Sequence, residues 1–149
     1  MIKTFLLSLF LFSAANSLVA QQFDSLKLSQ TEIPEGYLES SKREYKTPHA
    51  VSFYEQVELY ESFVGKLKKK DIQSFNKKGD KGTIFYFEFE SDFEGAAFLD
   101  GLLWGQEGKA TTKKPEEYFA KGKFLVIWSF DLKSELKEIS RRKVTSVLK

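Results

Sequence analysis

The sequence predicts an α+β domain: an antiparallel sheet of about four to five strands, built on two hairpins, with helices packed on one face. Three observations carry that reading. Two pairs of strand-like runs each flank a short glycine-bearing turn, "KKGDKG" (77–82) and Lys121-Gly122. Segments of helical periodicity alternate with those pairs. The run Phe124–Phe130 is apolar on both faces, as a strand buried on both sides must be. A ferredoxin-like sheet with an added C-terminal helix is the specific topology this order suggests.

Taken from the N-terminus, residues 1–20, "MIKTFLLSLFLFSAANSLVA", place Lys3 before an apolar run and then small residues. That order is what a secretory signal peptide requires. Small residues permit cleavage before Asn16 or before Gln21, and Gln21 is the preferred start. The alternative is an uncleaved anchor, but the run is shorter than the ~20 residues of a span. Residues 21–47 read as an N-terminal extension or first strand, with a turn at Pro34 and Gly36 and a strand around 37–45. Residues 48–149 form the single α+β domain.

The first helix begins at Thr47, a capping residue, with Pro48 at the first helical position. Phe53, Val57, Tyr60, Val64 and Leu67 mark its inner face, and Gly65 is an earlier stopping point. In the second strand of the first hairpin, Phe85, Phe87 and Phe89 fall on one face. Ile84, Tyr86, Glu88 and Glu90 fall on the other, which the acids keep wet. Ser91 and Glu94 have capping-box spacing for a second helix ending at Gly105. The stretch 105–115 carries no periodicity and reads as a connector or recognition loop. The second hairpin and a helix starting at Asp131 or Ser134 follow, its inner face marked by Leu132, Leu136, Ile139 and Val147.

Composition narrows the chemistry. The chain has no cysteine, which excludes disulfides, thiol nucleophiles and cysteine-ligated metals. Its single histidine precludes a histidine metal cluster, and no cofactor motif is present. Loss of residues 1–20 would remove one lysine, leaving 22 basic against 21 acidic side chains. A surface so near neutrality does not suit nucleic acid or anionic membrane as the main partner, despite the lysines of 66–70. After cleavage no stable membrane insertion is expected.

The catalytic candidates are Glu88, Glu90, Asp92 and His49. Carboxylates two apart on a strand can form an acid/base pair, and a helix N-terminus disfavours added positive charge on His49. The bland alternatives are a wet sheet face and a polar residue beside a cap. Tyr86, Trp104 and Tyr118 are ligand-binding candidates, with Trp128 beside them, because such rings offer a flat face and a polar edge. Core packing is the competing account. The sequence therefore points to a small exported, non-enzymatic domain that binds an unknown ligand or envelope protein. The alternatives are a carboxylate-dependent hydrolase and a membrane-tethered interaction protein.

Overall fold

The computed structural model describes residues 22–149, so the expected signal segment lies outside the described residues. After a helical turn α1 (22–25), the chain runs through β1 (Leu38–Ser40), α2 (Pro48–Glu55), α3 (Glu61–Val64), β2 (Leu67–Lys77), β3 (Asp80–Phe89), α4 (Ala96–Trp104), β4 (Glu117–Lys121), β5 (Phe124–Ser129) and α5 (Glu135–Val147). The sheet order is β1-β2-β3-β5-β4, and every pairing is antiparallel. This is the α+β class with the two expected hairpins. It is not a ferredoxin-like sheet, in which strands joined through a helix lie parallel. Here β1 and β2 are joined through helices yet pair antiparallel, while β3 and β4 are not neighbours.

The helices divide between the two faces rather than gathering on one. Phe85, Phe87 and Phe89 point inward together as expected, packing with Phe53, Val57, Val64, Leu99 and Leu103 of the α2–α4 layer. The opposite face is not wet. Ile84 and Tyr86 are completely buried there with Trp128, covered by Leu136 and Val144 of α5 and by Phe23, Leu26 and Leu28 of the N-terminal segment. The physical reason is β5, whose six residues are all buried: a strand apolar on both faces requires cover on both. Full burial of each large side chain contributes about 1.5–3 kcal/mol.

Polar groups pin this second layer down. The Gln73 carboxamide accepts from the Leu28 amide and donates to the Leu28 carbonyl, each at 2.9 Å, fixing the N-terminal segment to β2. The Tyr86 hydroxyl donates to the same Gln73 oxygen at 2.7 Å, and the Trp128 indole donates to Ser140 at 2.8 Å.

Two helix boundaries differ from expectation. The first helix stops at Glu55, continues as a 3-10 turn at Val57–Tyr60, and resumes as α3 before Gly65; Leu67 already belongs to β2. Phe53, Val57 and Val64 stay buried regardless, because the tighter turn keeps the apolar residues on the sheet side. The Ser91–Glu94 capping box does not form, and α4 starts at Ala96. Hydrogen bonds from Glu90 N to Lys66 O and from Phe93 N to Gly122 O hold this stretch against neighbouring elements instead. The C-terminal helix α5 is capped by Ser134, one of its two expected starts, whose hydroxyl accepts from Lys137 N; Leu132, expected on its inner face, lies outside the helix and exposed.

Candidate groove at the β4 edge

Strand β4 lies at one end of the sheet and, among the described residues, pairs only with β5. Its side chains alternate between faces in the usual way. Tyr118, opposite Ile127, joins the α4 layer, while Glu117, opposite Trp128, turns toward α5. A cleft of about 380 Å³ straddles this edge. Trp104 and Tyr118 line it from one face, Glu117 and Arg141 from the other, and residues 108–110 form a wall.

Each lining group is held by its neighbours. The Trp104 and Tyr118 rings stack at 5.6 Å between centroids and 23° between planes. The Trp104 indole donates to the Glu116 carbonyl at 2.7 Å. The Tyr118 hydroxyl donates to Asp100 at 2.7 Å, and burial together with that acid raises the phenol above its ordinary range. On the other face Glu117 forms ion pairs with Arg141 and, at 3.5 Å, with the fully buried Lys137. Desolvation lowers both cations from their ordinary values. The Arg141 guanidinium lies 5.3 Å over the Trp128 ring, and its Nε is buried without a hydrogen-bond partner among the described residues. Gly108, in the left-handed region at φ 67°, turns the wall away from the 3-10 turn Gly105–Glu107.

Two of the sequence-derived ring candidates, Trp104 and Tyr118, thus meet in one cleft. Tyr86 and Trp128 do not; both are core residues with no exposed surface. The acids are separated as well. Glu88 is 2% exposed and pairs with Lys68 at 3.4 Å. Glu90 and Asp92 instead line an open basin of about 510 Å³ with Ser91, Glu94 and Lys123. Among the described residues, no group of acids and histidine is arranged to hold a metal ion. No family model, curated protein or solved structure matches this chain.

His49 stands in the first turn of α2, partly exposed, near a residue that sequence reasoning overlooked. Glu116 is 1% exposed and accepts a hydrogen bond from the Thr47 hydroxyl, while its second oxygen lacks a partner among the described residues. Burial raises its carboxyl above the ordinary range, against the pull of the Ser129 and Thr47 hydroxyls, the Ala50 amide and His49. The pair "EE" at 116–117 held the signal: strand alternation sends one acid to each face. With almost no exposed surface, Glu116 ties the α2 N-terminus to β4 and offers a substrate no approach.

A comparable tether lies at the β2–β3 turn. Asp80 accepts from the Tyr37 hydroxyl and, at 2.9 Å, from the Ser134 hydroxyl, joining the hairpin to the start of α5.

Proposed function

We propose that this protein is a small exported binding domain, and that Trp104 and Tyr118 form the contact surface for its ligand. The observation that carries the reading is the cleft over the β4 edge. It combines a stacked aromatic pair with a partly buried guanidinium and a glycine-turned wall. Rings beside a few fixed polar groups are the usual composition of a ligand site. Export rests on the charge, apolar and small-residue order of residues 1–20. Among the described residues, no helix is long and apolar enough to cross a membrane.

The hydrolase reading has less support. Its three acids are divided between a partly buried ion pair and an open basin, so they do not face one reacting bond. Titrating ¹⁵N-labelled protein with aromatic dipeptides and chito-oligosaccharides tests the binding reading. Chemical-shift changes should cluster at the Trp104 indole, Tyr118 and residues 108–110, and disappear in Trp104→Ala. Saturable binding that perturbs only residues elsewhere would overturn the assignment. So would turnover on a hydrolase panel that Glu90→Gln or Asp92→Asn abolishes.

A further inference from the structure

The cleft carries a feature beyond its rings: it encloses part of an open sheet edge. The β4–β5 turn is Gly122-Lys123, with Gly122 at φ 58° and Lys121 opposite Phe124. In a two-residue hairpin the residues flanking the turn exchange both backbone hydrogen bonds, and pairing then alternates along the strand. Lys121, Phe119 and Glu117 therefore direct their backbone groups toward β5. Tyr118 and Ala120 direct theirs outward, where no strand pairs with them among the described residues. The next outward carbonyl, that of Glu116, is already taken by the Trp104 indole.

We propose that the cleft receives an extended peptide segment from a partner protein, which pairs with β4 as a sixth strand. In this arrangement the peptide sets an acidic side chain against Arg141 and an apolar or aromatic one against Trp104 and Tyr118. The inference rests on the groove assigned above and deepens it by naming the ligand class. Its geometric basis is that the lining residues come from both faces of the sheet. An added strand projects alternate side chains to both faces, whereas a small ligand seated on one face would not need both. Its electrostatic basis is the charge on the α5 side. In the cleft lining two cations, Arg141 of α5 and Lys109 of the wall, stand against one acid, Glu117. An acidic side chain compensates that excess by pairing with the part of the Arg141 guanidinium that remains exposed.

The test uses two octapeptides of identical composition, one alternating glutamate with tyrosine and one carrying the same residues in two blocks. Binding is followed by hydrogen exchange on the full protein. The alternating peptide should bind at least about tenfold more tightly and slow exchange at the Tyr118 and Ala120 amides. Ala120→Pro should weaken it by a similar factor, since it removes an outward donor while leaving the ladder to β5 intact. The protection pattern of the unmodified protein answers the question even if that variant folds poorly. Four results would overturn strand addition. Equal binding of both peptides is one, and unchanged exchange at Tyr118 and Ala120 under saturation is another. A third is failure of both peptides to bind while aromatic dipeptides still shift Trp104, in which case the groove stands and strand pairing falls. The fourth is protection of the two amides without peptide in a protein that sediments as a dimer, because a second copy then occupies the edge.

Discussion

The same substitution, glycine to alanine, should have opposite effects at two positions of this fold. A Cβ on Gly82 would lie 2.1 Å from the Ser129 carbonyl oxygen and 2.7 Å from two carbons of the Phe130 ring. Rotamer changes cannot relieve a clash with a backbone oxygen, and Phe130 has no exposed surface into which to move. The strands must separate by roughly an ångström beside the Thr83–Ser129 pair, at one end of the β3–β5 ladder. Overpacking of this kind costs about 1–3 kcal/mol, and the rigidity of both neighbours places Gly82→Ala near the upper end. Gly101 lies exposed within α4, and a Cβ there meets nothing within 4 Å. Gly101→Ala should therefore stabilise the protein by up to about 1 kcal/mol. Urea denaturation at pH 7 reads both effects. With m of about 1–3 kcal/mol/M, the Gly82 variant should lose about 1–3 M in midpoint and the Gly101 variant gain at most about 0.3–1 M. A Gly82→Ala protein as stable as the parent, with unchanged m, would refute the close approach of β3 to β5.

Two buried or paired acids should give opposite pH responses. The Glu116 carboxyl is raised in the folded state, so its contribution is fully present below about 4.5 and declines as pH rises toward the folded value. Glu116→Gln should leave the urea midpoint unchanged at pH 4 and raise it at pH 8; a fall at pH 8 would refute the burial argument. For Glu32, burial acts upward, but the Lys143 and Ser29 hydrogen bonds prevail and lower its carboxyl to about 2. Its contribution is present above about 4.5 and is lost as pH falls through about 2. Because the carboxylate is about one-third exposed, Glu32→Gln should cost at most about 1 kcal/mol at pH 7 and only a small remainder of that at pH 2, as read by thermal melts.

The sequence made one face of β3 legible and concealed the other. Three phenylalanines at alternate positions can only form an apolar stripe, and they do. The opposite face, with Ile84, Tyr86 and Glu88, resembles a solvated surface because its polar groups find partners far along the chain. Tyr86 bonds Gln73, Glu88 pairs with Lys68, and the cover comes from α5 and from Leu26 and Leu28 in a stretch without periodicity. No local pattern reports such contacts. The broken first helix was hidden for a related reason: a 3-10 turn preserves the apolar spacing that argues for a continuous helix. In the groove, Trp104 and Tyr118 could be picked out as amphipathic rings, but not their union. Arg141 could not be added to them, because α5 reaches β4 only through the fold.

The β4 edge also has to remain open without inviting uncontrolled pairing. Long, flat edge strands add copies of themselves, and proteins protect them by shortness, charge or cover. All three protections operate here. The strand has five residues, Lys121 and Lys123 bring charge to its hairpin end, and Trp104 satisfies the Glu116 carbonyl at the other. Among the described residues, only Tyr118 and Ala120 of β4 keep unpaired outward backbone groups, a window of two donors and two acceptors. So short an opening supplies too few hydrogen bonds to hold a strand by backbone pairing alone, each contributing only about 0.5–1.5 kcal/mol. Side-chain contacts with Trp104, Tyr118 and Arg141 must supply the remainder, so the edge selects by side chain and resists indiscriminate pairing.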